Sequence, residues 1–191
     1  MKFFIFWLGL IYLSCTEAQA PEKLALCITC HGLDGIAIQK SWPNLNGQSA
    51  RYMLKQLQDY KSGRRASPLM QAYAKLLDDQ DMLKLVQFYA NLPADTSQKP
   101  YTPSIYHQGN MQKRIPACSA CHGPQGLGND SAKFPKLAGQ NQAYIIEQLE
   151  VFKKHQRQND ANHMMQDISS RMSKKDILEY SNAINHLSTH Q

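Results

Sequence analysis

The stretch Cys27-Ile28-Thr29-Cys30-His31-Gly32 returns 91 residues later as Cys118-Ser119-Ala120-Cys121-His122-Gly123. The correspondence runs on. Trp42-Pro43-Asn44-Leu45-Asn46-Gly47-Gln48 faces Phe134-Pro135-Lys136-Leu137-Ala138-Gly139-Gln140 at an offset of 92, and Tyr52, Gln56 and Leu57 face Tyr144, Gln148 and Leu149 at the same offset. One inserted residue explains that slip; further on, Met70 and Asp81 face Met165 and Asp176 at an offset of 95. A length of 191 residues ordinarily suggests one domain, but the repeat makes it two copies of one unit. Between the copies, Pro93, Pro100 and Pro103 stand among polar residues, a composition that ends helices and favours extended chain. The expected organisation is therefore a first domain over 19–92, a linker over 93–103 and a second domain over 104–191.

Within each copy the periodicity is helical. Tyr52, Leu54, Leu57 and Tyr60 in the first copy, and Tyr144, Ile145, Leu149 and Phe152 in the second, mark one apolar face of a long middle helix. Asp78 with Asp81, and Ser173 with Asp176, have the form of helix N-caps with an acid at the third helical position, opening the runs Leu83 to Leu92 and Ile177 to Leu187. A shorter helix is expected to carry each cysteine pair. Strand alternation is absent, so the fold class is all-α. A unit of about 80 residues usually needs reinforcement from a metal, a cofactor or disulfides.

The first 20 or so residues read as an export signal: Lys2, then an apolar run from Phe3 to Leu13, then small residues at Ala18 and Ala20. Eleven apolar positions fall well short of the roughly 20 a membrane-spanning helix requires. Cleavage is expected after Ala18, with Ala20 as the second choice because Pro21 follows it, and lipidation at Cys15 as a rival. Removing residues 1–18 leaves the net charge at +6, and residues 19–99 and 100–191 each hold 10 Lys+Arg and 7 Asp+Glu. So even a spread argues against a nucleic-acid-binding arm, which needs clustered bases facing phosphates. Lys153-Lys154 and Lys174-Lys175 are the local exceptions, candidates for steering an acidic partner.

Apart from Cys15, every cysteine lies in the two Cys-x-x-Cys-His motifs. This spacing is the attachment signal for c-type haem. Two thiols on one helical turn can each add to a haem vinyl group, and the adjacent His then projects toward the iron. A zinc site built from both pairs would have to join cysteines with 87 residues between them in sequence, and zinc in one half alone would lack a clear fourth ligand. A thioredoxin-like redox pair wants a parallel-sheet context that the helical pattern denies. A second axial ligand is then needed, and Met raises the potential by pairing a thioether with the imidazole. Met70 and Met165 stand at matching places in the repeat, with Met164 and His163 as competitors; Met53 and Met82 fall inside apolar helical patterns and read as packing.

With both Cys-x-x-Cys-His-Gly motifs, the Phe134 to Gln140 stretch and its variant at Trp42 to Gln48, the chain closely resembles the dihaem cytochrome c4 family over roughly Leu24 to Leu187. The resemblance implies two tandem class I cytochrome c domains, each wrapped around a covalently bound haem c. It implies that Cys27, Cys30 and His31 with Met70 hold the first haem, and Cys118, Cys121 and His122 with Met165 the second. Pro43 and Pro135 match the family prolines whose carbonyl accepts a hydrogen bond from the axial His. The chain departs from the family in having only about eight residues between the expected cleavage point and Cys27, so its first helix must be short.

No nucleophile–base pair, phosphate-cradling loop or two-carboxylate site stands out, which favours an electron carrier over a hydrolase or transferase. The resemblance implies a periplasmic, monomeric carrier, with peripheral membrane association an open alternative. Its donor would be a quinol-oxidising complex or a dehydrogenase, and its acceptor a terminal oxidase. The alternatives are an electron-transfer subunit of a dehydrogenase such as a flavocytochrome and, less favoured, a dihaem peroxidase, which would need a vacant or displaceable iron ligand.

Overall fold

The computed structural model describes residues 20–94 and 104–187. The apolar segment 1–18, Cys15 and residues 95–103 of the expected linker lie outside the described residues. Among the described residues the chain is helical, with two isolated β-bridges, Asn110 to Ile115 and Asn129 to Phe134, in place of a sheet.

The first half begins with a 3-10 turn at Glu22–Leu24 that runs directly into α1, Ala25–His31. This is the short first helix expected from the few residues ahead of Cys27. The middle helix α2, Ala50–Ser62, is capped by Ser49, whose hydroxyl accepts the Tyr52 N–H, and ends at Gly63 in the left-handed conformation. Next come α3, Pro68–Lys75, and α4, Asp79–Ala90. In the second half α5 spans Ser104–Gln108, α6 Ser119–His122, α7 Gln142–Lys153, α8 Met164–Ser170 and α9 Lys174–Asn185.

Both expected capping boxes form: Asp78 and Asp81 open α4, and Ser173 and Asp176 open α9, each with reciprocal side-chain-to-backbone bonds. Helices α3 and α8 were not expected. Their sequence signal is weak, because each is a short helix whose N-terminal donors are met by one residue. In α3 the cap is Ser67, followed by Pro68 at the first helical position, where its missing N–H costs nothing. Met70 and Met165 sit on these two helices.

Helix α2 packs against α3 and α4, and α7 against α8 and α9. Each half keeps its own core, with Met53, Leu77, Met82 and Val86 in the first and Ile145, Leu149, Met172 and Ile177 in the second. Met53 and Met82 are thus buried packing residues, as their pattern suggested.

Candidate functional site

Each cysteine pair is presented by the short helix that ends in the adjacent His. His31 closes α1 and His122 closes α6, and both are buried. The His31 Nδ1 lies 3.0 Å from the Pro43 carbonyl oxygen, and the His122 Nδ1 2.9 Å from that of Pro135. A carbonyl can only accept, so Nδ1–H donates in both halves and Nε2 is left with its lone pair free to bind. Burial lowers both imidazole pKa values against the opposing pull of the proline carbonyl, which keeps the rings neutral.

The proline segments are held in register by a turn that repeats. The Gly35 carbonyl accepts the Leu45 N–H at 2.8 Å, and the Gly126 carbonyl accepts the Leu137 N–H at 2.7 Å. Gly35 has φ of 76°, and a Cβ there would stand 2.7 Å from the Asn46 nitrogen, so the turn admits only glycine. The carbonyl after each His is also tied down, though by different elements. Tyr89 from α4 donates its hydroxyl to Gly32 at 3.1 Å, whereas Tyr106 from α5 donates to Gly123 at 2.7 Å.

The four cysteines, both His and both Met residues line one continuous cavity of about 1370 Å³ that extends through the two halves. Burial pushes the Cys27 thiol up to about 11 and the Cys118 thiol to about 12, so both are protonated at neutral pH. The backbone N–H of each candidate Met is fixed by a side chain: Met70 by the Ser67 hydroxyl at 3.3 Å, and Met165 by the Asp160 carboxylate at 2.8 Å. Met164 also lines the cavity, but its partner in the repeat is Leu69, which has no donor atom. His163 is exposed, bonded to Gln166, and absent from the cavity wall. The extra residues of the second copy fall just before Met164, where Asn162 and His163 take left-handed φ values of 51° and 56°.

Across the seam the two halves exchange matching bonds. The Asn44 N–H donates to Gln140 Oε1 at 2.8 Å and Gln140 Nε2 donates back to the Asn44 carbonyl at 3.0 Å. In the reverse direction, the Lys136 N–H donates to Gln48 Oε1 at 2.8 Å and Gln48 Nε2 to the Lys136 carbonyl at 2.9 Å. Asn44 corresponds to Lys136 in the repeat, and Gln48 to Gln140, so the halves face each other about an approximate twofold axis.

Deeper in the seam lie Arg65 and Arg157, themselves related by the offset of 92. Arg65 donates to Gln56, Tyr144 and Gln148, each at 2.9 Å. Arg157 donates to Gln148 at 2.6 Å, to Tyr52 and Gln56 at 3.1 Å, and to Asn159 at 2.9 Å. Both guanidiniums are buried, both line the cavity, and all of these acceptors are neutral. Neither arginine forms an ion pair with a carboxylate among the described residues. A buried cation without a counter-charge is costly, so the cavity fits an occupant that brings carboxylates to the seam.

The sequence reading missed these arginines. It also placed Tyr52 and Tyr144 on an apolar helix face, whereas their hydroxyls bond to an arginine of the other half. The signal was present, since Arg65 and Arg157 repeat in step with Gln56 and Gln148. One expected surface feature changes: Lys153 donates to the Met172 carbonyl and Lys154 pairs with Glu150, which leaves Lys174 and Lys175 as the exposed pair.

The family model for cytochrome c matches residues 22–93 and again 110–186. A cytochrome c4 from Thiocapsa roseopersicina is 39% identical over 90% of this chain and 93% of its own length. A solved structure of reduced recombinant cytochrome c4 from Pseudomonas stutzeri superposes with a TM-score of 0.80 at 34% identity, covering 88% of this chain and 96% of that one. The chain belongs to the dihaem cytochrome c4 family. As a cytochrome c4 it has two tandem class I cytochrome c folds, binds two covalent haem c groups and transfers electrons rather than catalysing a reaction. Haem c fits the cavity on the chemistry of its lining: two Cys-x-x-Cys-His units for attachment, and two uncompensated guanidiniums for the propionates. A relative from Stutzerimonas stutzeri, 34% identical over 85% of this chain and 79% of its own length, is named a thiosulfate dehydrogenase electron acceptor. Among the described residues no helix is long and apolar enough to cross a membrane.

Proposed function

We propose that Cys27, Cys30, His31 and Met70 hold one haem, that Cys118, Cys121, His122 and Met165 hold the other, and that the protein is an exported periplasmic carrier feeding a terminal oxidase. The observation that carries the ligand set is the repetition of the whole constellation around one cavity. In each half a neutral His has its Nδ1–H committed to a proline carbonyl, and a Met has its backbone nitrogen pinned at the same place in the repeat. Bound there, haem iron supplies a one-electron ferrous–ferric couple, and two of them let one molecule hold two electrons. The chain's own part is to fix the His tautomer, exclude water with its apolar cores, and neutralise carboxylates at the seam with Arg65 and Arg157. Soft thioether ligation on both irons favours the reduced state and suits delivery to a high-potential acceptor.

A dehydrogenase as donor is the second reading, favoured by the relative named as a thiosulfate dehydrogenase electron acceptor. Co-purification with a dehydrogenase, against reduction by a quinol-oxidising complex, separates the two sources. The ligand assignment is tested by intact mass, a pyridine haemochrome count and the weak sulfur-to-iron absorption band of the ferric protein. Two haems are expected, and Met70→Ala and Met165→Ala should each remove about half of the band. Loss of the band from Met164→Ala, with Met165→Ala silent, would overturn the assignment in the second half.

A further inference from the structure

The second copy carries three more residues than the first just ahead of its candidate methionine, where the repeat offset steps from 92 to 95. In the first half the tie is immediate, since Ser67 accepts the N–H of Met70 three residues on. Ser67 is matched by Asn159, and the longer stretch from there to Met165 holds Asn162 and His163 in the left-handed region, at φ of 51° and 56°. Such backbone is costly for residues that carry a side chain and persists only where surrounding contacts over-determine it.

The contacts come from the other half. Lys55 on α2 donates to the Asn159 carbonyl at 2.6 Å and pairs with Asp59, one helical turn on. Asp59 accepts from the Asn159 side-chain amide at 2.7 Å, so one ion pair of the first half grips both the backbone and the side chain of Asn159. The next residue passes the grip on. Asp160 accepts the Met165 N–H at 2.8 Å and the Gln166 N–H at 3.2 Å, and its other oxygen accepts from Gln166 Nε2 at 2.8 Å. Burial works against the charge of Asp59, but the bonds from Lys55, Asn159 and Arg64 outweigh it and hold the carboxyl below the usual carboxylate range.

The arrangement runs one way. At the offset of 92, Glu147 stands for Lys55 and Val151 for Asp59, and among the described residues no hydrogen bond joins Ser67 to the second half. We propose that Lys55 and Asp59 are positioning residues for the second haem: by gripping Asn159 across the seam, they hold the segment that keeps Met165 on its iron, with no counterpart for Met70. The inference rests on the ligand assignment above.

An imidazole nitrogen competes with a thioether for ferric iron, so the imidazole concentration that abolishes the sulfur-to-iron band reads how firmly each methionine is held. The dihaem Met70→Ala protein reports Met165 alone, and the dihaem Met165→Ala protein reports Met70 alone. In these two parents, Lys55→Met and Asp59→Val should each lower the imidazole midpoint for Met165 about tenfold, the worth of one hydrogen bond to a charged group, and leave that for Met70 in place. Arg64→Gln is the control: Arg64 donates to Asp59 at 2.9 Å but not to Asn159, so its loss should leave both midpoints in place. A Met165 midpoint unmoved by Lys55→Met, a Met70 midpoint that falls with it, or an equal fall from Arg64→Gln would overturn the proposal. Lys55 is 30% exposed, so its variant decides even where Asp59→Val does not load both haems. Failure of the ligand assignment would appear separately and overturn both readings, as a missing band in the Met70→Ala parent before any residue of the grip is changed.

Discussion

Replacing Arg157 by Met tests whether the buried guanidiniums hold the seam together. The arginine makes four side-chain hydrogen bonds, to Asn159, Gln148, Tyr52 and Gln56, and stacks 4.4 Å above the Phe152 ring. Hydrogen bonds to a charged group contribute about 1.5–3 kcal/mol each, but the full sum overstates the loss. Met keeps contact with Phe152, the desolvation cost of the cation disappears, and the Tyr52 hydroxyl can turn to another partner. What remains is the loss of one member of a buried charge pair with the propionates, which costs about 3–5 kcal/mol. For a chain of this size, at roughly 2–4 °C per kcal/mol, the thermal midpoint should fall by about 6–20 °C. Arg65→Met should cost a similar amount. The double variant should lose less than the sum, because Gln56 and Gln148 accept from both arginines and are vacated only once. A guanidinium-chloride cycle on the four dihaem proteins, followed at the Soret band, measures the coupling, expected at about 0.5–3 kcal/mol. Additive losses, or single losses under about 1 kcal/mol, would refute a shared electrostatic seam.

Asp176→Asn should destabilise the protein at neutral pH by about 1 kcal/mol, the worth of a helix cap together with a Lys113 ion pair that is partly exposed. Burial raises the Asp176 pKa, but its bonds from Lys113 and Ser173 outweigh that and bring it to about 2. A depressed carboxylate stabilises the fold above its unfolded pKa of about 3.9 and loses that contribution as pH falls through the folded value. The gap between wild type and variant should therefore close between about pH 4 and pH 2 in acid denaturation; a gap constant over that range would contradict the reasoning. Tyr89→Phe and Tyr106→Phe should each cost about 0.5–1.5 kcal/mol, by unpairing the Gly32 and Gly123 carbonyls. Thermal melts check this, with intact mass confirming that both haems stay attached.

Local chemistry was legible in the sequence by itself. The duplicated Cys-x-x-Cys-His needs only one helical turn to place its thiols and its imidazole, so its meaning survives without coordinates. The capping boxes at Asp78 and Ser173 are equally local, since every bond they make lies within three residues. Met70 and Met165 stand out as candidates because the duplication serves as an internal alignment, although the short helices that carry them leave little signal.

What only the tertiary structure decided is how the two copies meet. Gln48 and Gln140 repeat in the sequence, but a repeated glutamine reads the same whether it caps a turn or binds the other half. Arg65 looks like any exposed cation until folding brings Tyr144 and Gln148 within 2.9 Å of it, from 79 and 83 residues away. The two tyrosines that hold Gly32 and Gly123 come from different helices, so no alignment of the halves would pair them. Periodicity and spacing carry contacts within a few turns of chain, whereas burial of a charge or hydroxyl depends on what distant segments bring to it.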